Sequence, residues 1–373
     1  MEILIAGDYC PQNRISQLIE KNDFESVFGE IRDIVLKADY SIVNLECPIT
    51  KGTEKPIKKC GPSLQSSEKG IEALKWVGFQ CVTLANNHIL DYGTVGLSEA
   101  KKSCERNGLD TVGGGVNSVE ASQVLYKTIR DESIAIINCC EHEFSIAKED
   151  EAGSNPLNPI RQYSDIVEAQ KKADYVIVIV HGGNEYYQLP SPRMKETYRF
   201  FIDAGADAVV NHHQHCYSGY EIYKEKPIVY GLGNFCFDDP CLVDDNWNKG
   251  YIVKIHLQDK VRIELIPYNQ CGSEPKVRLL DSKEDKVFEN EITRLNSIIS
   301  DDKLLNDRYS SFLKNSESIM RILFSPYTSK ITKGLCRRHL LPNFVTSKKK
   351  LELLSYIQCE SHLSKVIQYL SSK

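Results

Sequence analysis

Short apolar segments alternate with amphipathic helical stretches through the first 270 residues, and this alternation constrains the fold more than any other feature. Apolar strands that end in polar residues and are joined by helical crossovers are typical of an α/β core. The predicted strands are Glu2–Ala6, Tyr40–Leu45, Cys81–Ala85, Ile134–Cys139, Tyr175–His181, Ala208–Asn211, Ile228–Gly231 and Tyr251–Leu257. The predicted helices between them include Phe24–Ala38, Glu68–Val77, Val95–Asn107 and Arg193–Ala204. The sequence therefore predicts an α/β fold.

The pattern changes after Pro267. From about residue 228 to that point the predicted strands follow one another with few helices between them, as in an antiparallel edge. Beyond it, helices are predicted over Lys286–Ser300, Asp307–Phe324 and Lys348–Leu370. We therefore place a boundary near residue 272, with a main domain at 1–272 and a helical extension at 273–373.

Residue types that bind metals follow the ends of five predicted strands. They are Asp8, Asn44 and Glu46, then Asn86, Asn87, His88 and Asp91, then His181, and finally His212, His213 and His215. In an open α/β sheet the carboxyl ends of the strands face one crevice, where ligands bind. Each motif alone has a structural explanation, because a strand-end Asp or His is often a turn former and an Asn pair can be turn chemistry. Five together predict a metal centre, and carboxylate, amide and imidazole donors suit Mn²⁺, Fe or Zn²⁺.

Six motifs carry a resemblance to a known family. In chain order they are G-D at Asp8, N-L-E-x-P, L-A-N-N-H-x-x-D-x-G, H-G-G-x-E-Y, H-H-x-H and Y-G-L-G-N-F-C-F-D, the last at Tyr230–Asp238. In order and spacing, over about residues 1–240, this chain resembles the poly-γ-glutamate capsule biosynthesis (CapA) family. That family is similar to the calcineurin-like metallophosphoesterases. The resemblance implies a two-sheet αββα sandwich of the metallophosphoesterase type and a centre of one or two divalent ions.

The resemblance also implies roles for individual residues. Asp8 would bind the first metal, Glu46 would bridge, Asn87 and His181 would bind the second metal, and His213 and His215 would complete the two sites, one each. His88 would act as general acid toward the leaving group or stabilise the transition state, with Asp91 orienting its imidazole. Separately from the resemblance, substrate-binding positions are predicted at Arg14, Asn44, Glu185 and Asn234, and a solvated Arg14, a supporting role for Glu185 and a turn role for Asn234 remain open.

One position departs from the wider phosphoesterase pattern. Those enzymes have Asp-x-His at the first motif, whereas this chain has Asp8-Tyr9-Cys10. The first metal therefore loses an imidazole, and Cys10 could replace it only as a thiolate. We favour a packing role for Cys10, which leaves a mononuclear centre open.

Charge is unevenly distributed along the chain. The net charge is −5, but residues 274–373 carry 18 Lys and Arg against 12 Asp and Glu. A run without acidic residues between Glu317 and Glu352 holds Arg321, Lys330, Lys333, Arg337, Arg338, Lys348, Lys349 and Lys350. Interleaved apolar residues, such as Ile322, Leu323, Phe324 and Phe344, suit contact with an anionic membrane surface, although a packed helical cap with solvated charges remains the favoured interpretation. No nucleic-acid-binding module accompanies the run, so nucleic acid is not expected as a partner.

Compartment and function are the last expectations. No signal peptide or membrane span is predicted, and the thirteen cysteines form no disulfide pattern, so we expect a cytoplasmic protein. The leading functional hypothesis is metal-dependent hydrolysis of phosphate mono- or diesters of an anionic small molecule or polymer, in capsule or surface-polysaccharide metabolism. The alternatives are hydrolysis of a γ-glutamyl amide and a non-catalytic accessory role in capsule polymer biosynthesis.

Overall fold

The structure is a computed structural model that describes residues 1–59, 61–242, 246–258, 260–315, 329–342, 345–358 and 370. Its strands are β1 (Glu2–Cys10), β2 (Tyr40–Leu45), β3 (Cys81–Thr83), β4 (Asp110–Val112), β5 (Gly114–Gly115), β6 (Leu125–Ile129), β7 (Glu132–Cys140), β8 (Gly153–Ser154), β9 (Tyr175–His181), β10 (Ala208–His212), β11 (Tyr220–Tyr223), β12 (Lys226–Val229), β13 (Asn234–Phe237), β14 (Lys249–His256), β15 (Arg262–Gln270) and β16 (Val277–Leu279).

The helices of the described residues flank these strands. They are α1 (Asn13–Glu20), α2 (Phe24–Lys37), α3 (Glu68–Val77), α4 (Gly93–Arg106), α5 (Ser118–Ala121), α6 (Pro159–Ala169), α7 (Pro192–Ala204), α8 (Ser282–Ser300), α9 (Asp302–Asn315), α10 (Lys330–Arg337) and α11 (Ser347–Gln358). The predicted strands and helices of the first 270 residues are all present, most of them shifted by a few residues at their ends.

Two large sheets form the core. The first has the order β16-β15-β14-β1-β2-β3-β4, with β13 also pairing with β1. In this sheet β1 to β4 are parallel, and β14 to β16 form the antiparallel edge that the close succession of strands predicted. The second sheet has the order β11-β12-β10-β9-β7-β6, with β7, β9, β10 and β12 parallel.

Side chains of β1 show how the layers stack. Ile3 and Ile5 pack in one apolar cluster with strands of the second sheet, whereas the alternate residues Leu4 and Ala6 pack with helices α1 to α4. Successive side chains of a strand point to opposite faces, so the two sheets face each other and the helices cover the outside. Helices α6, α7 and α8 contact the second sheet. The αββα sandwich that the resemblance implied is confirmed.

Close backbone packing explains the glycine that precedes Asp8. A Cβ atom added at Gly7 would lie 1.9 Å from the carbonyl oxygen of Gly233, just before β13. Any side chain at Gly7 would therefore push β13 away from β1, where Asp8 pairs with Asn234. This contact aligns two of the predicted site residues.

Helix α8 belongs to the main compact unit. Contacts divide the chain into Met1–Leu305 and Asn306–Lys373, whereas the sequence placed the boundary near residue 272. The reason is an apolar stripe on α8, represented by Phe288 and Leu295, that packs into the core cluster. The buried ammonium of Lys195 on α7 also donates hydrogen bonds to the Ile299 carbonyl and, at 2.7 Å, to Asp302 Oδ1.

The second unit contains α10 and α11 among its described residues. The predicted helix Asp307–Phe324 is described only as far as Asn315, and Lys348–Leu370 is described to Gln358 and again at Leu370. Arg321, the apolar segment 322–324 and Phe344 lie outside the described residues, so contact of the basic run with a membrane surface stays a prediction. No described helix is both long and apolar enough to cross a membrane.

Candidate metal centre

The carboxyl ends of parallel strands from both sheets, and the loops that follow them, bring the predicted donors together. Asp8 lies on β1, Glu46 follows β2, His181 ends β9, and His213 follows β10. The donors are all buried: Asp8, Glu46, Asn87, His181, His213 and His215. Strands from both sheets are therefore needed to assemble this cluster.

The first donor group consists of Asp8, Glu46 and His215, whose ligand atoms all lie within 4.8 Å of one another. Asp8 Oδ2 is 3.8 Å from His215 Nδ1, and Glu46 Oε1 is 3.6 Å from His215 Nε2. Two carboxylates and an imidazole at these separations can hold one divalent ion. We call this group the first metal position.

The second donor group consists of Glu46, His181 and His213, also within 4.8 Å of one another. His181 Nε2 lies 3.6 Å from Glu46 Oε1 and 3.1 Å from His213 Nδ1. The amide oxygen of Asn87 lies 3.1 Å from the same His181 nitrogen. These four side chains form the second metal position, and Glu46 belongs to both positions, where the resemblance implied a bridging carboxylate.

Glu46 provides the test of whether these residues fit a metal. Both of its carboxylate oxygens are buried, and neither has a hydrogen-bond partner among the described residues. A buried polar atom without a partner is costly, and a charged one more so, unless a cation compensates it. A divalent ion at either position would supply that compensation, so the donor set fits metal binding.

Burial also sets the protonation preferences of the donors. It raises the pKa of Glu46 well above its ordinary value, and the nearby carboxylates of Asp8 and Glu185 raise it further. Burial lowers the pKa of His181 well below its ordinary value, with His213 the next largest cause. Burial likewise lowers the pKa values of His213 and His215. Neutral imidazoles keep a lone pair available, which is the form that binds a metal.

The backbone of the H-H-x-H segment is strained at two of its histidines. His213 has φ 91° and His215 has φ 54°, in the left-handed region that residues other than glycine rarely adopt. Such strain persists only where the surrounding structure enforces it, and it clusters at functional sites. His212 has a separate role, because its Nε2 lies 2.9 Å from the Ala6 carbonyl on β1 and links the two sheets.

His88 and Asp91 lie beside the second metal position and contact each other. His88 Nδ1 is 2.7 Å from Asp91 Oδ2, as the sequence predicted for an orienting carboxylate. The ammonium of Lys59, whose side chain is 2% exposed, pairs with the other oxygen of Asp91 and lies 3.0 Å from His88 Nδ1. Asp91 also accepts a 2.7 Å hydrogen bond from the Leu64 amide, which fixes the loop around it. The Nδ1 side of the imidazole is therefore fully engaged.

Asn44 and Asn234 lie behind the donors. Asn44 donates a 2.7 Å hydrogen bond to Asp8 Oδ1, and Asn234 Oδ1 lies 2.9 Å from His215 Nδ1. Both amides are buried, and the substrate contacts predicted for them remain predictions. In this arrangement each orients a donor of the first metal position.

Arg14 is held by contacts with the protein itself. Its guanidinium pairs with the buried carboxylate of Asp238 and donates to the carbonyls of Cys271 and Gly272 at 3.0 and 2.9 Å. A guanidinium engaged in this way joins distant segments of the chain, and the substrate contact predicted for Arg14 stays a prediction. Glu185 is exposed on the loop after His181, and its charge reaches both Glu46 and His215.

Cys10 lies outside both donor groups. Its thiol is fully buried, and burial raises its pKa well above the ordinary value, as does a hydrogen bond with Cys47. A raised pKa disfavours the thiolate that a metal ligand requires. The packing role favoured for Cys10 agrees with this environment.

Two residues near the cluster were missed by the sequence analysis. Lys59 lies in the long loop after β2, where no strand end or motif marks it. Glu143 lies in the loop that follows β7, and its Oε2 accepts a 3.0 Å hydrogen bond from Asn87 Nδ2. The strand-end rule that found the other donors could have found Glu143, because β7 is a parallel strand of the second sheet.

The fold and the donor cluster together define a two-sheet α/β protein with a buried group of carboxylate and imidazole side chains that could hold divalent metal ions. Residues 2–239 match the family described as bacterial capsule synthesis protein PGA_cap. The chain is 30% identical to the PGA biosynthesis protein CapA of Bacillus subtilis (strain 168) over 77% of this chain and 76% of that protein. It is 29% identical to the capsule biosynthesis protein CapA of Bacillus anthracis over 74% of this chain and 69% of that protein. This chain belongs to the bacterial capsule synthesis protein (CapA) family.

The chain is also similar to solved structures. The crystal structure of a novel phosphatase from Mycoplasma pneumoniae aligns with 73% of this chain and 95% of that chain, with a TM-score of 0.48 and 14% sequence identity.

Proposed function

We propose that this chain is a metal-dependent hydrolase of phosphate mono- or diesters, acting on an anionic small molecule or polymer in capsule or surface-polysaccharide metabolism. The observation that carries the proposal is the environment of Glu46, a buried carboxylate that is shared by two donor groups and has no hydrogen-bond partner in the described part of the chain. Such a carboxylate suits a pair of cations. The capsule context rests on the family and on the names of its relatives.

The two metal positions would share Glu46 and take their other donors from different residues. One divalent ion would be held by Asp8, Glu46 and His215, and a second by Glu46, Asn87, His181 and His213. When bound, a metal pair supplies a hydroxide nucleophile at neutral pH and neutralises the charge of the phosphoryl oxygens. The protein's own contribution is to hold the donors close together, out of water, and in the neutral imidazole form.

His88 would supply the proton to the leaving oxygen. Its Nδ1 is held by Asp91, and no hydrogen bond of its Nε2 is present among the described residues, so Nε2 remains available. In the protonated imidazole the proton on Nε2 would pass to the leaving group, while Asp91 keeps the ring in place. Lys59 would hold Asp91 through its second oxygen. Loss of such a proton donor typically costs about 10²–10⁴-fold in rate.

The first experiment measures metal content together with hydrolysis. Purified chain is analysed for metals and assayed with Mn²⁺ on p-nitrophenyl phosphate, bis-p-nitrophenyl phosphate and a γ-glutamyl anilide. The proposal expects bound metal, turnover of a phosphate ester, and loss of that turnover in His88→Ala and His213→Ala. His142→Ala is the matched control, because His142 is exposed on the loop after β7.

Two other results would replace the proposed reaction. Metal with turnover of the anilide alone would make the chain an amide hydrolase. Metal binding without any turnover would favour the accessory role. That outcome would fit the absence of an imidazole at the position of Cys10, because the first metal position then has one donor fewer. Absence of metal after reconstitution would contradict every metal-dependent function.

A further inference from the structure

Glu143 faces two donors of the second metal position from outside it. Its Oε2 accepts a 3.0 Å hydrogen bond from Asn87 Nδ2, and its Oε1 lies 3.6 Å from His213 Nε2. The side chain is 37% exposed, and no Lys or Arg among the described residues forms an ion pair with it. One carboxylate therefore faces two donors of the same metal position.

The loop that carries Glu143 is fixed on both sides. On one side, Glu141 accepts a 3.1 Å hydrogen bond from the Gly183 amide and pairs with Arg193. On the other, Ser145 Oγ donates a 2.7 Å hydrogen bond to the Asn87 carbonyl and accepts one of 3.2 Å from the Leu90 amide. These contacts tie the loop to the segments that carry His181 and Asn87. The position of Glu143 is therefore set by the same framework as the donors.

The orientation of the two donors explains what Glu143 does. His213 turns Nδ1 toward His181 Nε2, at 3.1 Å, and Nε2 toward Glu143. Asn87 turns Oδ1 toward the same His181 nitrogen and its amide hydrogens toward Glu143. A metal-bound histidine commonly gives its other N–H to a carboxylate, which fixes the ring and raises its basicity. Asn87 donates a hydrogen bond to Glu143, and His213 turns its Nε2 toward the same carboxylate at 3.6 Å, a separation longer than a hydrogen bond.

We propose that Glu143 is a positioning residue for the second metal position, orienting Asn87 and His213 so that their lone pairs face the ion. The proposal rests on the metal-binding part of the proposed function and adds a residue that no motif of the sequence marks. Direct ligation is disfavoured, because the mutually close donor groups at this position contain Glu46, His181 and His213 without Glu143. Glu143 acts through its two neighbours and selectively on one of the two positions.

The test is a metal titration of the full chain. Metal-free wild type, Glu143→Gln and Glu149→Gln are titrated with Mn²⁺ by calorimetry, with electron paramagnetic resonance of the same samples. Glu149→Gln removes the same charge from an exposed position of the same loop. We expect Glu143→Gln to weaken one of the two Mn²⁺ sites by about 10–100-fold and to leave the other unchanged. At two equivalents of Mn²⁺ the coupled-pair signal should be replaced by that of an isolated ion.

Several outcomes would overturn the proposal. Unchanged affinities in Glu143→Gln, or an equal weakening in Glu149→Gln, would reduce the role of Glu143 to surface charge. Thermal melting of the metal-free variants tests for a folding defect. Glu143→Asp keeps the carboxylate, so it should bind Mn²⁺ at the weakened site more tightly than Glu143→Gln does. If the wild-type chain bound no Mn²⁺, the result would instead contradict the proposed function itself. A failure of the proposed function and a failure of this proposal therefore give different titrations.

Discussion

The two metal positions share Glu46 but differ in what stands behind their other donors. At the first position the supporting groups are neutral and buried: Asn44 bonds to Asp8, and Asn234 faces His215. The ring of Trp247 packs 4.8 Å from that of His215 and helps to close this side. At the second position the supporting groups are Glu143, a partly exposed carboxylate, and Asn44 again, whose Nδ2 lies 3.4 Å from His181 Nδ1.

This difference predicts an order of metal binding. The second position has four donors and an anionic support, whereas the first has three donors and neutral supports. A carboxylate behind an imidazole raises its basicity more than an amide does, and the donors at the first position lack the histidine replaced by Cys10. We therefore expect the second position to fill first when metal is limiting.

The largest expected effect comes from the residue that both positions share. Glu46→Ala should remove binding at both, so that the metal content falls from about two ions per chain toward none. Elemental analysis after reconstitution with Mn²⁺ measures this. Asp165→Ala is the matched control, since Asp165 on α6 also has a carboxylate oxygen without a hydrogen-bond partner among the described residues but lies outside both donor groups. Two ions retained in Glu46→Ala would refute the shared-carboxylate arrangement.

Removing one histidine at a time should separate the positions. His215→Ala leaves the donors of the second position intact, and His213→Ala leaves those of the first. Each variant should retain about one ion per chain, and His215→Ala should retain the tighter one, because the four-donor position survives. Calorimetric titration with Mn²⁺ distinguishes the two. The reverse ranking would overturn the predicted order of filling.

Most of the fold could be predicted because strand and helix signals are local. Buried strands such as Tyr175–His181 are continuous apolar runs, and their bounds in the structure match the prediction. The sequence analysis did not assign α8 to the main domain. An amphipathic pattern shows that a helix packs on another part of the protein, but it does not identify that part. Only the structure shows the stripe of Phe288 and Leu295 meeting the second sheet.

Site residues that lie at strand ends could be predicted from the sequence. Residues whose role depends on the direction of the side chain could not. His181 and Glu46 are carried by parallel strands, so topology alone brings them to one edge. Arg14 is near Asp8 in sequence, yet its guanidinium turns to Asp238, a partner 224 residues away. Lys59 reaches Asp91 from a loop whose course has no periodic signal.

Asn234 offers a smaller test of the neutral support at the first position. Asn234→Ala removes the acceptor that faces His215 Nδ1, so the ring loses its fixed orientation. We expect the first position to bind Mn²⁺ about 10-fold more weakly, at the low end of such effects, with the second unchanged. Asn107→Ala, at the end of α4, is the control in the same calorimetric titration. An effect confined to the second position would show that the two supports are not separate.

The smallest expected effect concerns the metal-free protein and its dependence on pH. Burial raises the pKa of Glu46 in the folded protein above that of a glutamate in the unfolded chain. The contribution of Glu46 to the free energy of unfolding is therefore fully present below the unfolded-state pKa and is lost as the pH rises through the folded-state pKa. Glu46→Gln cannot ionise, so it should match wild type at acid pH and exceed it at pH 8, by about 1 kcal/mol in the free energy of unfolding. Urea denaturation in the presence of a chelator, at several pH values, measures the difference. Saturating Mn²⁺ should reverse its sign, because the ionised carboxylate then has a cation to bind and the amide does not. If the free energies of unfolding of wild type and Glu46→Gln differed by the same amount at every pH, Glu46 would not be an uncompensated carboxylate. Its charge would then not connect the two metal positions.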